Sequence, residues 1–256
     1  MYGWTMRTNF HRIAYEALTV CNAVRPEALV RAVGLAGLRQ GDRALDIGTG
    51  NATVAVLLAE AFDLQVVTVE ADPVMADLAA TRIAASVATD RIDLRVGTSG
   101  TVLAQIAPVE LIVAIGATDP VGDGARAPEA MLTGLSRLLK PGGALLWGDL
   151  CWKGTPPDPL RQLVEMNNTY ATHEGWQAAA RSAGFGVALA EVSDEAVWDD
   201  YLTTMDRAAR DWLARHADRP EAAGVRASAD RVQTLFNFGR PHLDFGLYVF
   251  LRPNPA

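Results

Sequence analysis

The residues best suited to chemistry lie in and just after one short segment, Arg43 to Thr53 (RALDIGTGNAT). An apolar run ends there on an acid, Asp46, and leads into a turn, Gly48-Thr49-Gly50, expected to open a helix. A second acid, Glu70, ends the next apolar run, twenty residues beyond Gly50. Glycines without a Cβ let a ligand approach bare backbone. A carboxylate at the position of Glu70 can accept hydrogen bonds from both hydroxyls of a ribose, so the spacing predicts a nucleotide-like ligand.

The acid at Asp46 narrows the chemistry of that ligand. A pyrophosphate favours backbone N–H groups and is repelled by a neighbouring carboxylate, whereas a ligand that carries an ammonium and a sulfonium favours negative charge. S-adenosylmethionine, with S-adenosylhomocysteine as its product, fits these requirements.

Alternating strands and helices with short connections are predicted for residues 43–150, which is typical of a parallel sheet covered by helices on both faces. The predicted strands are Arg43 to Ile47, Gln65 to Glu70, Arg91 to Val96, Leu111 to Ile115 and Ala144 to Gly148, and the predicted helices are Asn51 to Phe62, Asp72 to Ala85 and Pro128 to Leu139. The continuous apolar character of Leu111 to Ile115 places it at the buried centre of the sheet.

Segments outside this region are predicted to be mostly helical. Asn9 to Leu38 is interpreted as two helices separated near Arg25-Pro26, residues 151–242 as helical with one strand near Val187 to Val192, and Asp244 to Leu251 as a final strand. We therefore expect a single domain: an N-terminal helical lid (1–40), a cofactor-binding core (41–150), a helical cap that carries the substrate region (151–242) and a last strand (243–256). The cap is expected over the carboxyl ends of the strands, where open α/β sheets bind ligands.

The composition limits the partners. The 256 residues are 50% hydrophobic and 21% charged, with a net charge of −7. We therefore expect a globular protein without the clustered Lys and Arg residues of a nucleic-acid-binding surface. Cys21 and Cys151 are too far apart in sequence to indicate a metal site, and they suit a reducing cytoplasm. No apolar run reaches the roughly 18 residues of a membrane span. A small-molecule substrate is favoured, and pairing of two copies through the N-terminal helices is a further expectation.

The chain resembles the class I S-adenosylmethionine-dependent methyltransferases, on the motif Asp46-Ile47-Gly48-Thr49-Gly50-Asn51-Ala52 and the turn Leu139-Lys140-Pro141-Gly142-Gly143. Ala52 stands where the third glycine of the motif is usual, a departure of one methyl group. The resemblance implies a Rossmann-like α/β fold with a mostly parallel seven-stranded sheet, an antiparallel last strand and a helical cap. It also implies these cofactor-binding residues: Asp46, Gly48, Thr49, Gly50, Glu70, Ala71, Gly97, Thr98, Ser99, Ile115 and Gly116.

A narrower resemblance is to a group of bacterial small-molecule methyltransferase-like proteins. It rests on residues 9–13 (NFHRI), 115–118 (IGAT), 148–152 (GDLCW), 198–201 (WDDY) and 245–248 (FGLY). Relatives tend to have glutamate at the position of Asp149 and tryptophan at that of Asp119. The first difference keeps the charge and the second changes the pocket wall. This resemblance implies a fold and a cofactor but no particular acceptor.

Three residues are candidates for catalysis. Methyl transfer is an in-line displacement that depends mostly on alignment, and a base is needed only where the nucleophile must lose a proton. Asp149, at a strand end, is the first candidate for a general base or substrate anchor, with a helix cap or an ion pair as the alternative. His11 and His173 are the other two, and a surface helix position is the alternative for His11.

Further residues are predicted to contact the acceptor. Tyr15 accompanies His11 on the first helix, and Tyr170 accompanies His173. The remaining predicted contacts are Asp119, Trp152 and His242. Core packing is the alternative for Trp152, as it is for Trp198. The mixed charges of the stretch Asp194 to Arg231, which includes His216, predict a solvated helical face without chemistry.

Two other functions stay open at the level of sequence. A nicotinamide-dependent reductase is disfavoured because Thr53 replaces the small third residue of the dinucleotide motif and Asp46 would face phosphate. A non-catalytic cofactor-binding module is possible because a fold does not guarantee chemistry. An aminopropyl transferase is weaker still, since no acid-rich cluster is evident.

Overall fold

A computed structural model of the chain describes residues 2–166 and 168–255, with side chains described from residue 10 onward. The strands are β1 (Arg43–Ile47), β2 (Gln65–Glu70), β3 (Ile92–Val96), β4 (Val109–Ile115), β5 (Leu139–Trp152), β6 (Gly186–Val192) and β7 (Leu243–Leu251). The α-helices are α1 (Tyr2–Ala17), α2 (Pro26–Gly34), α3 (Thr53–Phe62), α4 (Pro73–Ala84), α5 (Ser99–Val102), α6 (Pro128–Ser136), α7 (Asp158–Val164), α8 (His173–Ser182), α9 (Glu195–Arg215) and α10 (Ala222–Gly239).

One seven-stranded sheet organises the protein, with the strand order β3-β2-β1-β4-β5-β7-β6. The first five strands are parallel, and β7 runs antiparallel to both β5 and β6. β4 is buried along almost its whole length, as its continuous apolar sequence predicts for a central parallel strand. The predicted α/β fold with an antiparallel last strand is confirmed.

Helices cover both faces of the sheet, because successive parallel strands require crossover connections. On one face, buried apolar side chains of α2, α3 and α4 pack against β1 and β4, including Leu29, Leu58 and Ile83. On the other face α6 and α8 contribute Met131 and Trp176 to a second cluster. The helix α8 lies within the range predicted as cap, yet it belongs to this layer of the sheet.

The remaining long helices form a separate cluster with the N-terminal helix. Phe10 and Ala14 of α1 pack against Met205 and Ala209 of α9 and against Ala229 of α10. This cluster joins the N-terminal helix to two helices from the range predicted as cap. Residues 2–166 and 168–255 include no helix that is long and apolar enough to cross a membrane.

Several element boundaries differ from the sequence-based ones for local reasons. α3 begins at Thr53 instead of Asn51 because Ala52 has a left-handed backbone, with φ of 60°. The strand β5 is longer at both ends than Ala144 to Gly148. It includes the predicted turn at Lys140 through a register shift against β4, and it pairs with β7 as far as Trp152.

Candidate functional site

A cavity of about 650 Å³ opens at the carboxyl ends of β1, β2 and β4 and is roofed by α1 and α10. We call it the strand-end cavity. It falls within the roughly 300–1,000 Å³ of pockets that bury a ligand of drug size. Ile47, Glu70 and Ile115 mark the three strand ends in its wall, and His11 and Arg231 represent the two roofing helices.

The glycine turn forms the floor of the strand-end cavity. Its backbone is held toward β2, because the N–H groups of Gly48 and Thr49 donate to the carbonyl of Val69 at 2.9 and 3.1 Å. Gly50 has a φ of 58°, and a Cβ there would come within 3.0 Å of Cys21 Sγ. A larger residue would therefore strain the backbone and press on the segment above it. With glycine at this position, bare backbone faces the cavity.

Glu70 spans the mouth of this turn. Its Oε2 accepts from the backbone N–H of Gly50 at 2.9 Å, and its Oε1 accepts from that of Asp72 at 3.0 Å. Burial raises the pKa of the Glu70 carboxyl, and the two backbone donors oppose that effect. Because a carboxylate has about four acceptor sites, the fixed oxygens keep capacity for further donors from the cavity.

Asp46 lies beneath the turn, outside the cavity wall. The residue is 3% exposed, and its carboxyl accepts from Thr49 Oγ1 at 2.6 Å and from Thr68 Oγ1 at 3.4 Å. Desolvation raises its pKa to about 6, against the lowering effect of those two hydroxyls. The carboxylate thus fixes the turn and adds negative charge below the floor.

The predicted cofactor residues divide into two groups by position. Those in the wall of the strand-end cavity are Gly48, Gly50, Glu70, Ala71, Gly97, Ser99, Ile115 and Gly116. Asp46, Thr49 and Thr98 are not part of the wall. Thr98 is an exposed residue that precedes α5, and its hydroxyl lies 2.7 Å from that of Thr101.

The N-terminal segment closes the cavity from above. His11 and Tyr15 both line it, one helical turn apart, with ring centroids separated by 5.2 Å in an edge-to-face arrangement. Cys21 lines it too, and burial raises the pKa of that thiol to about 12, so the thiol is a poor nucleophile near neutral pH.

Two asparagines that sequence reasoning did not single out hold this segment in place. Asn51 is 2% exposed, and its Nδ2 donates to the carbonyls of Tyr15, Leu18 and Thr19 at 3.0, 2.9 and 3.3 Å. Asn22 Nδ2 donates to the carbonyl of Ile115 at 3.1 Å. The only sequence signal for Asn51 is its place directly after the glycine turn.

Asp149 lies on the far face of the sheet from Asp46 and is also enclosed. The residue is 3% exposed; Oδ1 accepts from the N–H of Leu150 at 2.9 Å, and Oδ2 is buried and has no hydrogen-bond partner among the described residues. Desolvation raises the pKa of Asp149 to about 8, so the neutral acid predominates at pH 7. It does not contribute to the wall of the strand-end cavity.

His173 also lies away from the cavity. It stacks on Tyr248, with its Nδ1 3.1 Å from the Tyr248 hydroxyl.

The predicted acceptor contacts have partners of their own. Trp152 Nε1 donates to Glu165 Oε1, and the N–H of Tyr170 donates to the same oxygen. Asp119 accepts from the N–H groups of two loop glycines, Gly122 and Gly124. Of the residues predicted to contact the acceptor or to do chemistry, only His11 and Tyr15 are part of the cavity wall. Six others lie outside it: Asp119, Asp149, Trp152, Tyr170, His173 and His242.

Trp198 packs in the core, with the Arg240 guanidinium 5.2 Å from its ring centroid. Among residues 2–166 and 168–255, no group of three or more His, Cys, Asp or Glu side chains is arranged to hold a metal ion.

Residues 44–143 match the protein family described as methyltransferase domain. The matched segment contains the glycine turn, Glu70 and the strand ends of the cavity floor. No curated protein matches the chain.

Solved structures share the fold over nearly the whole chain. A methyltransferase from Geobacter sulfurreducens, solved with S-adenosyl-L-homocysteine, has a TM-score of 0.81 at 21% identity, covering 95% of this chain and 98% of its own. One from Thiobacillus denitrificans, also with S-adenosyl-L-homocysteine, has a TM-score of 0.79 at 21% identity, covering 94% and 96%. YjhP from E. coli has a TM-score of 0.78 at 20% identity, covering 95% and 99%.

The family match covers the residues that build the floor of the cavity, and the fold agrees with it from α1 to β7. Residues 44–143 therefore form a methyltransferase domain, and the chain shares its fold with structures of S-adenosylmethionine-dependent methyltransferases.

Proposed function

We propose that the strand-end cavity binds S-adenosylmethionine and that the enzyme transfers its methyl group to a nucleophilic oxygen, nitrogen or carbon of a small molecule. The observation that carries the proposal is the position of Glu70, whose carboxylate is fixed by the N–H groups of Gly50 and Asp72 at the wall of the cavity. A fixed acceptor beside bare backbone suits a ribose and an adenine edge.

The chemistry of the cavity fits a cationic methyl donor. Glu70 and Asp72 lie in the wall and Asp46 lies under the floor, so the potential beside the glycine turn is negative. We assign Glu70 to the ribose, Ala71, Gly97 and Ser99 to the adenine side, and Gly48, Ile115 and Gly116 to the methionine side. Asp46 and Thr49 act on the cofactor through the shape and charge of the turn.

The protein's contribution to the reaction is alignment of the acceptor and the methyl group in one cavity. S-adenosylmethionine supplies an electrophilic methyl group on a sulfonium. The roof helix α1 and the segment after it cover one side of the cavity, and His11 and Tyr15 present an imidazole and a phenol to it. We assign His11 to handling a proton of the acceptor and Tyr15 to contacting the acceptor. Catalytic roles for Asp149 and His173 would require a change in the structure, because neither residue is part of the cavity wall.

Three predicted properties of the protein stay proposals: its compartment, its partner and its oligomeric state. Cys21 and Cys151 are both free thiols, in keeping with a reducing cytoplasm. A small metabolite is the proposed partner, since the net charge of −7 disfavours nucleic acid. We also propose that two copies of the chain pair. Sedimentation analysis tests this, because a mass near 27.4 kDa would indicate a monomer.

Calorimetric titration and a transfer assay test the proposal together. We expect S-adenosylhomocysteine to bind with one site per chain and NADPH to leave no heat of binding. Tight NADPH binding without S-adenosylhomocysteine binding would favour the reductase alternative. A panel of small oxygen, nitrogen and carbon nucleophiles with methyl-labelled S-adenosylmethionine then tests catalysis. Cofactor binding without transfer to any of them would favour the non-catalytic alternative.

A further inference from the structure

Arg231 is a charged residue of the strand-end cavity that neither the motifs nor the family match accounts for. It lies on α10, beyond the matched segment 44–143, and contributes to the cavity wall together with His11 and Tyr15 of the neighbouring α1. Its side chain is exposed, so it sits where the cavity opens to solvent.

No carboxylate neutralises this guanidinium within the described part of the chain. The ion pairs there do not include Arg231, and neither do the side-chain hydrogen bonds. The helix positions three and four residues away, where an acid would pair with it, are Ala227, Ser228, Thr234 and Leu235. Arg231 therefore offers its donors to whatever enters the cavity.

The other charges of the wall already have backbone partners. Glu70 accepts from Gly50 and Asp72, and Asp72 accepts from the N–H of Val74 at 2.9 Å. Arg231 is the only Arg or Lys in the wall as described. The methyl donor carries an ammonium and a sulfonium against one carboxylate, so it gains from the acids on the strand side and has little need of a cation on the helix side.

We propose that Arg231 is a specificity-determining residue that binds a carboxylate of the acceptor and so orients the acceptor toward the methyl group. The inference rests on the proposed function of the same cavity. The fork of N–H donors in a guanidinium matches a carboxylate in two parallel hydrogen bonds. A doubly charged phosphate is the poorer match. The wall already holds the carboxylates of Glu70 and Asp72 and only one guanidinium, so the second negative charge of the phosphate would have no cation to balance it.

Probe binding to the cofactor-loaded protein tests this assignment. The protein is saturated with S-adenosylhomocysteine and titrated with benzoate and phenylacetate, with their amides benzamide and phenylacetamide, and with phenylphosphonate. We expect both acids to bind at least about fivefold more tightly than their amides. A charge-assisted hydrogen bond in a dry site would give more, but exposure of Arg231 reduces the effect. Arg231→Gln should remove the difference between acid and amide, and Arg231→Lys should retain part of it.

The controls separate failure of this inference from failure of the proposed function. Arg226→Gln, on the exposed side of the same helix, should leave the preference for acids unchanged. Absence of S-adenosylhomocysteine binding by the unaltered protein would refute the proposed function itself. With that binding intact, equal binding of acids and amides, or binding of neither, would overturn the inference.

Two further results would also contradict the assignment to the acceptor. Tighter binding of phenylphosphonate than of the acids would exclude the carboxylate preference. Weakening of S-adenosylhomocysteine binding by tenfold or more in Arg231→Gln would show that the guanidinium holds the cofactor's own carboxylate instead.

Discussion

Asn51 Nδ2 lies 2.9 Å from the backbone carbonyl of Leu18, in a hydrogen bond that joins the glycine turn to the end of the N-terminal helix. The same nitrogen also donates to the carbonyls of Tyr15 and Thr19, while Asn51 Oδ1 accepts from the N–H of Thr53 at the start of α3. One amide thus fixes the position of the cavity roof relative to its floor.

Asn51→Ala is expected to lower both stability and cofactor affinity. The substitution leaves buried carbonyls without a donor, so the free energy of unfolding should fall by about 2 kcal/mol. S-adenosylhomocysteine should bind more weakly, because the roof no longer has a fixed distance to the turn. Urea unfolding and calorimetric titration measure the two effects. Asn237→Ala, at an exposed position of α10, is the matched control. Unchanged cofactor affinity in Asn51→Ala would show that this contact does not position the roof.

Gly116→Ala tests the second contact between roof and floor. Gly116 has a φ of 65°, and a Cβ there would overlap Asn22 Oδ1, whereas Gly124 has a φ of 78° and open space around it. Both substitutions carry the cost of a left-handed alanine, about 1–2 kcal/mol, but only Gly116→Ala displaces Asn22. We expect weaker S-adenosylhomocysteine binding in Gly116→Ala and unchanged binding in Gly124→Ala. Equal affinities would indicate that Asn22 moves without cost.

Asp149→Asn should change the pH dependence of stability. The folded carboxyl has a pKa of about 8, against about 3.9 in the unfolded chain, so the folded state binds more protons between these values. Its stabilising contribution is complete below about pH 4 and is lost as the pH rises through 8, by at most about 1.4 kcal/mol per pH unit. Asparagine mimics the neutral acid at every pH.

Urea unfolding at pH 5 and pH 8 measures this effect. The free energy of unfolding should fall less between the two values in Asp149→Asn than in the unaltered protein. The free-energy cost of any unpartnered amide introduced by the substitution is the same at pH 5 and pH 8, so it cancels in the comparison. The raised pKa of Asp46 acts in the same direction in both proteins and cancels too. Asp77→Asn, on the exposed side of α4, should leave the pH dependence unaltered, and parallel curves for Asp149→Asn would contradict burial of an ionisable Asp149.

Glu70→Ala and Asp46→Ala should weaken S-adenosylhomocysteine binding by about tenfold each, for different reasons. Glu70 faces the cavity, so its loss should change the free energy of unfolding by less than about 1 kcal/mol. Asp46 is the buried acceptor for Thr49 and Thr68, so its loss should also cost about 2 kcal/mol of stability. Titration and urea unfolding of both variants, with Glu129→Ala as an exposed control, distinguish the two roles. Normal binding by both variants would refute our placement of the cofactor.

The fold and the cavity floor could be predicted from sequence because their signals are local. The apolar runs that end on Asp46 and Glu70 predict two strands, and parallel strands bring their carboxyl ends together wherever the helices lie. Eight of the eleven predicted cofactor residues therefore line one cavity. The carboxylate of Asp46 is covered because Thr49 returns over it, a detail of the turn that spacing alone does not specify.

The roof and the acceptor side depend on contacts between distant segments. Arg231 lines the same cavity as His11 only because α10 packs on α1, and no periodicity in either helix predicts that pairing. Asp149 was expected at the site because it ends a strand, but the antiparallel partner β7 extends beside it and the chain encloses its side chain. Ala52 shows a further limit of prediction from sequence. Its backbone is left-handed, with φ of 60°, but an alanine does not indicate that conformation as a glycine would.

A crystal structure of the protein with S-adenosylhomocysteine tests the central claim most directly. We predict the ligand in the strand-end cavity, with its ribose hydroxyls within hydrogen-bonding distance of the Glu70 carboxylate and its homocysteine portion beside Gly48 and Gly116. Ligand bound elsewhere on the protein, or a cavity closed by the roof in crystals grown with saturating ligand, would contradict it.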